Sequence, residues 1–262
     1  MFAKIWLRGV ARHWPDVLRD SPRGLVHRRG DGWVVARPPN ATTGLPLGTS
    51  GGDLFIQLPL FFGDDEYAHA EALIPMCAAA SRGRIEVDGR TVPAKDWEME
   101  LKRLALQLVD ARVATVPRLL ASPNTILEIE GWRRPYFLGQ STLNLLLRTG
   151  PPAGLLERLQ SAIAAMQALP DEMVAPVERF SRDGRGVTAA IWDLTSERLV
   201  PPCDELVFRH RGASWHVASA HLADVIPANG VRLDERHWLV LALSVPEIAA
   251  LTARARPFVG RP

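Results

Sequence analysis

The chain has 262 residues, 47% of them hydrophobic and 23% charged, with a formal net charge of +2. That apolar content excludes whole-chain disorder, and the near balance of charge gives no general argument for nucleic acid or an anionic membrane as partner. The longest apolar stretches, 54–62 and 238–245, fall far short of the roughly 20 residues that span a bilayer, so no membrane association is expected.

The first residues, Met-Phe-Ala-Lys-Ile-Trp-Leu-Arg, have neither an apolar signal region nor a small-residue cleavage site. Cys77 and Cys203 stand in unlike contexts without metal-type spacing and read as two reduced, packed thiols. The expectation is a cytoplasmic protein, and the abundance of Ala, Arg and Pro suits a bacterial coding sequence.

Along the chain, Ile5-Trp6 sits in a strand-like context. Residues 25–36 form two β-prone runs around Gly30-Asp31-Gly32, a hairpin pattern. Residues 38–52 are dense in Pro, Gly, Thr and Asn and read as a long loop, with Leu47-Gly48-Thr49-Ser50-Gly51-Gly52 as a flexible connection. An apolar strand over 54–60 and an Ala-rich helix over 64–80 follow. Trp97, Leu101, Leu104 and Leu108 recur at helical spacing and predict one buried face of a helix over 93–110, with Pro117 as a break or kink. Residues 126–138 form a second hairpin around Gly131–Pro135. Leu155, Leu159, Ile163 and Met166 mark another helix, and 171–186 reads as a linker.

The last third repeats the opening order. Ile191-Trp192 precedes a hairpin over 206–218, then a polar turn over 227–233, an apolar strand over 238–243 and a helix over 246–256. Strand, hairpin, strand and helix thus occur twice, which predicts an internal duplication. The expected fold is α+β: two related β-rich subdomains, 1–92 and 171–262, joined by a mainly helical middle, 93–170. Trp6, Trp33, Trp192 and Trp215 fall at matching places and are expected in the cores of the copies.

Chemistry-bearing residues are scattered. The segment Asp64–Glu71 holds Asp65 and His69 four apart, a permissible acid/base or metal spacing, but acids crowd a helix's first turn to cap its free N–H groups. His210, His216, His221 and His237 gather late in the chain without a recognised ligand pattern. No nucleophile elbow and no phosphate-binding loop occurs, so no catalytic residue, metal or cofactor is assigned. The segment 1–37 is rich in Lys and Arg, and Trp132, Arg133, Arg134 and Tyr136 cluster at the middle hairpin in a composition suited to a binding patch.

The resulting expectation is a non-catalytic protein that binds another protein through Trp132, Arg133, Arg134 and Tyr136, as an immunity factor, adaptor or chaperone does. Two alternatives stand beside it. One is an enzyme, such as a hydrolase working at 64–71 between the copies. The other is a nucleic-acid-binding module using the basic N-terminal segment.

Overall fold

The computed structural model describes residues 2–9, 25–29, 32–37, 41–81, 84–122, 124–182, 184–226 and 230–257. The chain is α+β and divides into two compact units, Met1–Ala168 and Leu169–Pro262. Among the described residues no helix is long and apolar enough to cross a membrane.

Unit 1 is built on a seven-stranded sheet in the order β2-β3-β4-β5-β1-β6-β7. Its strands are β1 (Phe2–Arg8), β2 (Leu25–Arg29), β3 (Gly32–Ala36), β4 (Leu45–Ser50), β5 (Asp53–Pro59), β6 (Arg84–Val87) and β7 (Arg90–Val92), and every pairing is antiparallel. Two tight turns set its register. Gly51-Gly52 joins β4 to β5 and Asp88-Gly89 joins β6 to β7, all four at positive φ, as two-residue hairpin turns require. In β5, Leu54, Ile56 and Leu58 are buried while Phe55, Gln57 and Pro59 are half-buried, the period-two pattern of a sheet with one core face.

That core face is covered by α1 (Asp64–Ser81), which packs on β1, β4 and β6, and by α2 (Trp97–Ala121), which packs on β1 and on α1. In α1, Ala70, Leu73, Ile74, Cys77 and Ala78 form the buried stripe. In α2, Trp97, Leu101, Leu104 and Leu108 are buried as their spacing predicts, and Trp97 Nε1 donates to the Ala70 carbonyl at 3.3 Å. Helix α2 runs through Pro117 to residue 121 rather than stopping near 110. The carbonyl that Pro117 cannot bond belongs to Val113, on the exposed side of the helix, where water can serve it. The hairpin β8 (Leu127–Ile129) and β9 (Tyr136–Leu138) and the helices α3 (Gln140–Arg148) and α4 (Leu155–Ala168) complete the unit.

Unit 2 holds a five-stranded sheet ordered β10-β11-β13-β14-β17 and a three-stranded one ordered β12-β16-β15. The strands are β10 (Val177–Arg182), β11 (Arg185–Trp192), β12 (Arg198–Val200), β13 (Glu205–His210), β14 (Ala213–Ala218), β15 (Gly230–Arg232), β16 (Trp238–Val240) and β17 (Arg256–Pro257). Trp192, Leu206, Phe208, Val217, Leu222, Val240, Ile248 and Leu251 make its core, with α5 (Leu222–Val225) and α6 (Val245–Arg254) contributing.

Several expectations are corrected. The loop expected over 38–52 contains β4, and its Gly51-Gly52 is a hairpin turn; residues 38–40 lie outside those described. The linker expected over 171–186 is mostly the β10–β11 hairpin. The turn expected over 227–233 contains β15, with 227–229 outside the described residues.

The duplication is not confirmed. Trp33 and Trp215 both lie in the second strand of a hairpin, but the strands around those hairpins pair differently. In unit 1, β1 pairs with β5 and β6, whereas β11 lies parallel to β13 of its hairpin and β16 sits in a separate sheet. Of the four tryptophans expected in cores, Trp192 is fully buried and Trp6, Trp33 and Trp215 are half-buried.

Candidate functional site

The sheet of unit 1 turns its second face outward through the alternate residues of β1 and β5. Trp6 lies opposite Phe55 and their rings meet edge-on, 5.4 Å apart. Lys4 Nζ stands 4.3 Å from the Trp6 ring and 4.1 Å from the Phe55 ring, and the Arg8 guanidinium lies 4.4 Å from Trp6 on the other side. Arg8 is fixed in turn by Asp53 at 2.8 Å and by both oxygens of Glu86 at 3.0 and 3.1 Å. Those hydrogen bonds hold the Glu86 and Asp53 carboxyls below their usual range and push Arg8 up. Phe55 also lies over Gly48, where a Cβ would come within 2.3 Å of its ring.

This row continues through Gln57, Phe2 and Pro59 into a pocket of about 180 Å³ between β5 and β8. Its walls are Pro46, Leu60, Phe61, Leu127 and Ile129, with Glu128 and Glu130 on the β8 side. Among the described residues β8 pairs with β9 alone.

A buried carboxylate holds one wall in place. Glu66, in the first turn of α1, accepts backbone N–H bonds from Thr42, Thr43 and Gly44 on Oε1 at 2.7, 3.0 and 2.9 Å, and from Gly63 on Oε2 at 2.7 Å. Gly44 has φ +65° and lies so close to Val34 and Trp132 that a Cβ would fall 2.5 Å from Val34 Cγ1. Thr43 is thereby set on the pocket wall. On the other side of this segment, Thr42 joins Asp64, Asp65, Glu157, Gln160 and Ser161 around a wider pocket of about 570 Å³.

The residues picked out for partner binding come together at the β8–β9 hairpin. Trp132, Arg134 and Tyr136 are buried, and Arg133 is half-buried with its guanidinium 4.6 Å from the Trp132 ring. The fully buried Gln167 of α4 accepts the N–H groups of Arg133 and Arg134 at 2.9 Å each and donates to the Arg134 carbonyl at 2.8 Å. The hairpin tip is thus tied to α4, and a second, half-buried aromatic-and-cation cluster lies on β1 and β5.

Asp65 and His69 do not meet through their side chains; His69 Nδ1 lies 2.8 Å from the Asp65 carbonyl of its own helix. The late histidines do not converge either. His216 Nδ1 lies 3.1 Å from Glu205, which Arg182 also grips, His221 pairs with Asp224 at 3.5 Å, and His237 Nδ1 lies 2.8 Å from the buried Asp234. Among the described residues no group of three or more His, Cys, Asp or Glu side chains could hold a metal. Burial pushes the Cys77 thiol up to about 11 and raises Cys203 as well, so both sit far from the thiolate form. Of the basic N-terminal residues, Arg12, Arg19 and Arg23 lie outside the described residues, while Lys4 and Arg8 are engaged as above.

The pocket and its cation–aromatic approach were not foreseen from sequence, because they need the cross-strand register of β1 with β5. No family model, curated protein or solved structure matches the chain.

Proposed function

We propose that the protein works by binding another protein, as an immunity factor, adaptor or chaperone does, and that the pocket between β5 and β8 receives an apolar side chain from an extended segment of that partner. The observation that carries this reading is a pocket with mostly apolar walls, one of them formed by β8, a strand that among the described residues pairs on one side alone. An added strand gains main-chain hydrogen bonds from the edge and specificity from the pocket. The exposed Glu128 of the same wall favours a basic residue next to the apolar anchor, and the prearranged Lys4–Trp6–Phe55–Arg8 row lowers the ordering cost of contact.

Selection of displayed peptides on the full chain tests this. Enriched sequences should carry an apolar residue flanked by Lys or Arg, and Leu127→Glu should weaken their binding by about tenfold or more, by putting a charge where the anchor sits. Selection of no such sequence, or binders indifferent to Leu127→Glu, would sink the proposal.

A second reading rests on the wider pocket at the start of α1. There Asp65 Oδ2 is buried with no hydrogen-bond partner among the described residues, beside Gln160 and Ser161, which supports a hydrolase working from the 64–71 segment. Turnover of an ester, amide or phosphoester panel that Asp65→Ala abolishes would favour it.

A further inference from the structure

Helix α2 buries one face and leaves an apolar row on the other. Met99, Leu106 and Val113 are 70%, 66% and 57% exposed, and Val109 is 37% exposed beside them. The three fall at strict seven-residue spacing. Each step of seven drifts by only about 20° around a helix, so they form one nearly straight stripe. Paired helices repeat at this period, and between the three apolar residues this stripe carries Lys102 and Arg103, then Val109 and Asp110.

The charges beside the stripe select both the partner and its direction. At about 100° per residue, Asp110 and Arg103 lie on one flank of Leu106, and Lys102 and Val109 lie on the other. In a parallel pairing of two copies related by a two-fold axis, opposite flanks meet at equal height. Lys102 would then face Arg103 of the second copy, like against like. In an antiparallel pairing centred on Leu106, the same flank meets itself reversed. Asp110 of each copy then faces Arg103 of the other, and Met99 packs on Val113. Glu100 holds Arg103 through Nε at 3.0 Å and Nη2 at 2.6 Å, with Asp88 3.5 Å from Nη2, which reduces the side-chain freedom lost on pairing.

We infer that α2 is a self-association surface, on which a second copy of this chain docks antiparallel through Met99, Leu106 and Val113 with two reciprocal Asp110–Arg103 pairs. The surface is separate from the β5–β8 pocket, and the inference stands without the partner-binding reading.

Sedimentation of the full chain over a wide concentration range is the test. Wild type should show a monomer–dimer equilibrium. Leu106→Glu should give monomer, with unchanged circular dichroism because the position is exposed. Asp110→Arg alone and Arg103→Asp alone should each weaken dimerisation by more than about tenfold, because each creates two like-charge contacts. Mixing those two variants should restore a dimer containing one of each, since every Arg then faces an Asp. A wild-type chain that stays monomeric throughout overturns the inference. So does a dimer that survives Leu106→Glu and Asp110→Arg, and so does a mixture of the two folded charge variants that stays monomeric.

Discussion

Glu66 shows how one side chain can fix a segment more than twenty residues away. Part of its role is readable from sequence: an acid in the first turn of a helix caps free N–H groups, as it does here with Gly63 three residues before it. Its bonds to Thr42, Thr43 and Gly44 have no sequence signature, because they depend on where the chain returns from β3. Glu66→Ala would leave three buried N–H groups and one partly buried one unmet, at about 1–3 kcal/mol for each buried group where water does not enter, so denaturant unfolding should show a loss of at least about 3 kcal/mol. Glu66→Gln should cost less, since its oxygen can still accept from residues 42–44.

Asp193 does a comparable job in unit 2. It accepts from Thr195 N and Ser196 N at 2.9 Å each, from Ser196 Oγ at 2.7 Å and from Arg198 Nη2 at 3.1 Å, and it closes a turn in which buried Leu194 has φ +66°. Burial opposes its charge, but the hydrogen bonds outweigh burial and set its pKa at about 2, against an ordinary 3.8. The folded value is the lower one, so its stabilisation is present above the ordinary value and lost as pH falls from about 4 towards 2. The stability difference between wild type and Asp193→Asn should be constant at neutral pH and shrink through that window. A difference that stays flat down to pH 2 would rule out the carboxylate as its source.

Among the elements, four of the helices and several hairpins were legible, while β4, α3 and the short α5 were not. The α2 stripe was readable because Trp97, Leu101, Leu104 and Leu108 repeat at helical spacing with little competing signal, and the hairpin over 206–218 because Arg211-Gly212 supplies its turn. In β4, Pro46 and Gly48 argue against an inner strand on local grounds. Tertiary structure overrides them: Phe55 fills the space above Gly48, and Gly51-Gly52 folds β4 back onto β5. The two faces of α2 give a paired expectation. Leu104→Ala should cost about 2–5 kcal/mol through the cavity it leaves, whereas Leu106→Ala, two residues on and exposed, should change monomer stability by less than about 0.5 kcal/mol. Equal losses at the two positions would show that the helix is oriented differently.

At the scale of the whole molecule, matching local order proved a weak guide to topology. Two segments with the same local order of strand, hairpin, strand and helix enter different pairings: β5 comes between β4 and β1 in one unit, and β11 runs parallel to β13 in the other. The pocket between β5 and β8 was equally invisible, since Phe2, Pro46 and Leu127 are brought together only by pairing and packing. Unit 2 nonetheless has what an autonomous domain needs. It is continuous in sequence, has its own core around Trp192, Phe208 and Val240, and is cross-tied by backbone bonds from Ala175 to Leu199, Asp204 to Thr188 and Leu243 to Leu194. A fragment spanning residues 169–262 should therefore fold alone. Its urea unfolding, followed by tryptophan fluorescence, should be a single cooperative transition with a slope near 1 kcal/mol per molar, as expected for a domain of this size. A broad, non-cooperative response would show instead that unit 2 depends on the rest of the chain for its packing.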